Sequence, residues 1–130
     1  FGVIKLLKLT GKDGDTENAI QITSTTVRTE IYTTAKATTK AGDVFELKVD
    51  AKGTGTLIYG IYVYTDKGAW ISSVRQTAKV TGDFQEYKAS ITVKDHPKRG
   101  NAGIVRIFIG ADANSDIVVK EVEADQKAKQ

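Results

Sequence analysis

The chain has 130 residues, 40% of them hydrophobic and 27% charged, with 12 Gly against 1 Pro; this is one domain's worth of sequence, enough to bury a core unaided and too little for a multidomain enzyme. Its formal net charge of +3 is scattered along the chain, so no basic stripe marks a nucleic-acid surface. The absence of Cys removes thiol nucleophiles, Cys-ligated metals and disulfides, and a lone histidine, His96, leaves no His pair for a metal and reads as a solvated loop residue.

Apolar residues recur with period two in short segments divided by turn residues, the pattern of an all-β sandwich or barrel. Residues 3–10 read as a first strand, followed by a polar loop containing Asp13, Asp15 and Glu17. Residues 19–27 and 29–36 read as the next two, the latter rich in β-branched side chains. In residues 44–50, Phe45, Leu47 and Val49 alternate with Glu46, Lys48 and Asp50, giving one apolar and one wet face. Residues 57–65 differ: Leu57, Tyr59, Ile61 and Val63 form one face, and the opposite face of Ile58, Gly60, Tyr62 and Tyr64 is nearly as apolar.

Asp66-Lys67-Gly68 reads as a hairpin turn that delivers Trp70 to a strand over 70–77. Residues 84–93 alternate cleanly, and the loop that follows carries His96, Lys98 and Arg99. Residues 104–110 set Val105, Ile107 and Ile109 against Ile104, Arg106 and Phe108; the apolar run at 103–110 is broken by Arg106 and is far too short for a membrane-spanning helix. A last strand is expected over 116–122, so that the domain spans 1–123 and residues 124–130 form a tail or linker. With Phe1 first and no Met anywhere, the chain is expected to be a piece of a longer, exported protein.

The stretch Lys40-Ala41-Gly42-Asp43-Val44-Phe45-Glu46-Leu47-Lys48-Val49-Asp50-Ala51-Lys52-Gly53 resembles a strand of carbohydrate-binding modules of the galactose-binding-like jelly-roll type, as in families four and nine. Residues 59–70, 81–93 and 105–122 are similar to the segments that follow it in that family, in the same order. Phe84 stands where the family has Trp, and Lys120-Glu121 where it often has two acids. The resemblance implies two antiparallel sheets in a β-sandwich, a sugar-binding groove on one face or at the loops, and often a structural calcium.

Sugars present apolar C–H faces ringed by hydroxyls, so aromatic platforms flanked by planar polar groups suit them. Tyr62, Tyr64, Arg106 and Phe108 share the parity opposite the core, and with Glu46 and Lys48 in the same sheet they are expected to form such a groove, with Trp70 at its edge. The same residues also fit plain cross-strand pairing or partial burial, and Lys98 and Arg99 would favour uronic acids. The oxygen donors Asp13, Asp15 and Glu17 suit calcium, and the resemblance implies that Asp116 or Glu121 completes the shell. No pair of carboxylates is nominated for catalysis. The expected function is a non-catalytic, monomeric module of a secreted or surface-attached bacterial protein, holding a linked catalytic domain on polysaccharide; the alternative is a structural or adhesive β-sandwich without a sugar site.

Overall fold

A computed structural model describes residues 2–10 and 16–128, with the side chains of 19–32 and 36–128. The nine strands are β1 (Gly2–Thr10), β2 (Thr16–Ser24), β3 (Thr29–Thr38), β4 (Val44–Thr54), β5 (Thr56–Tyr64), β6 (Trp70–Lys79), β7 (Gln85–Thr92), β8 (Ile104–Ala111) and β9 (Ser115–Lys127). All pairings are antiparallel, in a five-stranded sheet of order β1-β2-β9-β4-β7 and a four-stranded sheet of order β3-β8-β5-β6. No helix is present among the described residues. The expected all-β, two-sheet sandwich is the observed fold.

The core lies where alternation put it. Phe45, Leu47, Val49 and Ala51 of β4 face Leu57, Tyr59, Ile61 and Val63 of β5 and Val105 and Ile109 of β8, all buried in one cluster with Ile22, Ile117 and Val119. Burying each such side chain contributes about 1.5–3 kcal/mol of hydrophobic free energy, set against the entropy of ordering the chain. Two inner tyrosines bring polar tips with them. The Tyr59 hydroxyl donates to the Lys88 carbonyl at 3.0 Å, whereas the buried Tyr87 hydroxyl has no partner among the described residues. Burial, with Tyr87 nearby, raises the Tyr59 phenol above its ordinary value.

The turns behave as their residues require. Gly68 takes a φ of 89°, which completes the hairpin of Asp66-Lys67-Gly68, and its N–H donates to Thr65 at 3.0 Å. In the basic loop, His96 Nδ1 accepts the backbone N–H groups of Lys98 and Arg99, both at 3.0 Å, and His96 pairs with Gly100 through the backbone. His96 thus organises its own turn.

The end of the chain differs from expectation. β9 runs on to Lys127, and Val44 to Leu47 of β4 pair with Lys127 back to Ala124. The register shifts at Asp50/Ala51, where Lys120 is the extra residue. A bulge flips the alternation, so Ile117 and Val119 face inward before it and Val122 after it. Residues 124–127 therefore belong to the domain. Gln126 anchors them by donating to the Thr38 carbonyl at 2.8 Å and to the buried Asp43 carboxylate at 3.1 Å.

Candidate functional site

The outer face of the four-stranded sheet is a grid set by the cross-strand register. Reading from β3 through β8 and β5 to β6, one row is Thr38, Ile104, Tyr64 and Trp70, and the next is Lys36, Arg106, Tyr62 and Ser73. The third row is Tyr32, Phe108, Gly60 and Arg75. Beside it, Glu30 opposes Gly110. Tyr62, Tyr64, Arg106 and Phe108 thus share one face, and Trp70 stands next to Tyr64 at its edge.

Phe108 forms the floor. It is fully buried although it points away from the core, because the Tyr62 ring stacks on it with centroids 4.4 Å apart and planes 11° from parallel, and the Arg75 guanidinium lies 5.4 Å from its centroid. The bare backbone of Gly60 makes room: a Cβ there would lie 1.9 Å from the Val74 carbonyl oxygen and 3.0 Å from the Phe108 ring. Phe108 consequently supports the surface and does not reach a ligand, unlike the exposed platform that its parity suggested.

Glu30 ties the face together. Its carboxylate accepts from the Tyr62 hydroxyl at 2.9 Å and from Arg75 Nε and Nη2 at 2.7 and 2.9 Å, a two-pronged guanidinium contact, and Arg28 approaches to 3.7 Å. Burial pushes the Glu30 carboxyl up, but the hydrogen bonds from Arg75 and Tyr62 and the two cations outweigh it and hold it below its ordinary value. Burial, then the hydrogen bond to Glu30 and its charge, pushes the Tyr62 phenol up to about 12, so Tyr62 is a neutral donor throughout the biological range. The hydrogen bond to Glu30 also raises Arg75, against the effect of burial.

Around this knot the rings are open. Tyr32 is 57% exposed and meets Tyr62 edge-on with centroids 6.2 Å apart, and the Arg106 guanidinium lies 5.0 Å from the Tyr32 centroid. Tyr32, Lys36, Tyr64, Gly68, Ile104 and Arg106 line a hollow of about 220 Å³. Trp70 is 49% exposed beside it, with the Arg99 guanidinium 4.7 Å from its ring, and Arg99 is steadied by a 3.1 Å hydrogen bond to the Ile71 carbonyl. Rings with exposed faces next to planar donors can stack on a pyranose and bond its hydroxyls. Glu30, Tyr32, Lys36 and Arg75 were missed in the sequence, although Glu30 and Tyr32 alternate visibly with Ile31.

Glu46 and Lys48 lie elsewhere, which corrects the expectation that they share this face. β4 belongs to the five-stranded sheet, so they point out from the opposite side of the sandwich. There they help to line a larger depression of about 980 Å³ with Lys88, Ser90, Glu123 and Asp125. It contains no aromatic ring, and several of its charges are paired: Lys127 meets Glu46 at 3.1 Å, and Lys48 meets Glu123 at 3.8 Å and Glu86 at 4.0 Å. Size alone does not make it the better sugar site, because it lacks a platform for the ring.

Of the residues expected to hold calcium, Asp13 and Asp15 and the side chain of Glu17 lie outside the described residues. Asp116 accepts from Gln21 at 2.9 Å and from Thr23 at 3.3 Å, opposite Thr23 in the register. From Thr23 back to Glu17 along β2 is about 20 Å at the ordinary rise of a strand, and from Asp116 to Glu121 about 16 Å. Calcium holds its ligands within about 2.6 Å, so Asp116 can share an ion with neither Glu17 nor Glu121. The neighbouring Glu123, through hydrogen bonding and charge, raises the Glu121 carboxyl above its ordinary value. Asp116 and Glu121 are therefore alternatives and not partners at one ion, and the loop donors Asp13 and Asp15 that either would join lie outside the described residues.

No family model and no curated protein matches the sequence. Solved structures do. Over 97% of its length the chain is similar to the enzymatically active domain of tailspike protein 4 of bacteriophage CBA120, at 14% identity and a TM-score of 0.59, and spans 19% of that chain. It is similar over 94% to a family 16 carbohydrate-binding module, at 8% identity and a TM-score of 0.59, covering 84% of that chain. It is similar over 99% to the family 11 carbohydrate-binding module of Clostridium thermocellum, solved with a β-1,3-1,4-mixed-linked tetrasaccharide, at 12% identity and a TM-score of 0.55, covering 86% of that chain. At such identities the likeness is one of architecture: this chain has the jelly-roll β-sandwich fold of the carbohydrate-binding modules.

Proposed function

We propose that the chain is a non-catalytic carbohydrate-binding module that holds poly- or oligosaccharide on the outer face of its four-stranded sheet. The observation that carries this reading is the grouping of Tyr32, Tyr62, Tyr64 and Trp70 with Arg106 on that one face, around a hollow, in a fold shared with such modules. The acid at the centre of the face argues against hydrolysis there. Glu30 is held charged by Arg75, Arg28 and Tyr62 and is no proton donor at neutral pH. The module's role would be to keep a linked catalytic domain of a larger secreted or surface-attached bacterial protein near its glycan by raising effective concentration. Support for that context comes from the tailspike, where a similar fold occupies 19% of an enzymatically active chain.

The alternative is a structural or adhesive sandwich without a sugar site, which the self-contained knot of Glu30, Arg75, Tyr62 and Phe108 would equally satisfy. Affinity electrophoresis in gels cast with soluble polysaccharides separates the two. The module reading expects retardation by at least one glycan and its loss in Tyr64→Ala, a substitution away from the knot. Unretarded migration in every glycan, or retardation that survives Tyr64→Ala together with Trp70→Ala, overturns it.

A further inference from the structure

Lys36 of β3 and Arg106 of β8 are direct cross-strand partners on the four-stranded face, and neither makes an ion pair among the described residues. Like charges set opposite one another on neighbouring strands are destabilising. Elsewhere in the molecule such crowding is relieved. Lys48 and Lys88 also oppose each other, but Lys48 there reaches both Glu86 and Glu123. Arg28 and Arg75 converge, but on Glu30. Arg106 instead rests over the aromatic face of Tyr32, and Lys36 is exposed.

These two cations border the 220 Å³ hollow, whose other walls are Tyr32, Tyr64, Gly68 and Ile104, with no carboxylate among them. Its volume lies below the range of about 300–1,000 Å³ usual for drug-sized ligands and suits a single ring. A guanidinium fork and an ammonium beside aromatic walls have complementary demands: an anion for the cations and a flat C–H face for the rings. A further guanidinium, Arg99 over Trp70, extends the positive field beyond the Tyr64 edge, again with no ion pair among the described residues. Resting on the reading of this face as a carbohydrate site, we propose that its ligand is an acidic glycan, whose anionic ring substituent is clasped between Arg106 and Lys36 while the ring lies against Tyr32 and Tyr64.

Titration calorimetry on the full chain tests this with four oligosaccharides: oligogalacturonate, its methyl ester, a sulfated galactan fragment and the neutral galactan fragment. Binding is expected for an anionic member, and its identity tells a carboxylate from a sulfate ester. The uncharged counterpart should bind about tenfold or more weakly, and salt should weaken the anionic complex. Lys36→Gln, at an exposed position that does not threaten folding, should lose about tenfold on the anionic ligand and nothing on the neutral one, and Arg106→Gln should do the same. Lys88→Gln on the opposite face should change nothing. Equal affinity for charged and uncharged members overturns the acidic preference while leaving the carbohydrate reading intact. Equal binding of polyglutamate reduces the effect to bare charge attraction and overturns it too. Failure to bind these or any neutral glycan removes the underlying reading itself.

Discussion

Burial raises the proton affinity of the Glu30 carboxyl, yet Arg75 and Tyr62 donate to it strongly enough to hold it below its ordinary value. The linkage follows from that sign. A carboxylate with a depressed folded value contributes stability above the unfolded value, and the contribution is lost as pH falls through the folded one. Glu30→Gln keeps the shape but leaves Arg75 without its charge partner, so it should cost about 1.5–3 kcal/mol at pH 7 in urea denaturation. The gap between wild type and variant should narrow as pH falls below about 4; a gap of constant size down to acid pH contradicts this role. Gly60→Ala should cost about 1–3 kcal/mol by forcing its Cβ against the Val74 carbonyl and parting β5 from β6, also read by denaturation. These positions were only half legible. Alternation in residues 29–32 marks Glu30 and Tyr32 as outward, but nothing local says that Arg75 and Tyr62 will meet them. The same limit misplaced Glu46 and Lys48, because parity assigns a side chain to a face of its own strand and is silent on which sheet the strand joins.

At the scale of elements, every expected strand is present, because period-two burial is written directly into the residues and the turns carry Gly or Asn where positive φ is needed. The end of β9 was the exception, for a definable reason. The bulge at Lys120 puts Val122 out of phase with Ile117 and Val119, so a pattern read at constant period dissolves after Glu123. The mostly polar residues 124–127 pair with β4 through the backbone, which composition does not report. A chain truncated after Glu123 should therefore lose about 1–3 kcal/mol through the forfeited cross-strand hydrogen bonds and the Gln126 contacts to Thr38 and Asp43. Guanidinium or urea melts of the two chains decide the point, and an unchanged midpoint and slope would restore 124–130 to the status of a linker.

The whole molecule presents two unlike faces. On the five-stranded sheet the charges of β4, β7 and β9 form a largely exposed ladder of ion pairs, each worth no more than about 1 kcal/mol, so Lys48→Ala should shift stability little and leave glycan binding unchanged. On the four-stranded sheet, rings and cations without an ion pair among the described residues surround a hollow. The most direct test of this division is to map the amide chemical-shift changes of the ¹⁵N-labelled chain as a glycan it retains is added. The changes are expected to cluster on Tyr32, Lys36, Tyr64, Trp70 and Arg106, with β4 and β7 silent; changes centred on Glu46, Lys48 and Lys88 would place the site on the other sheet and overturn this assignment.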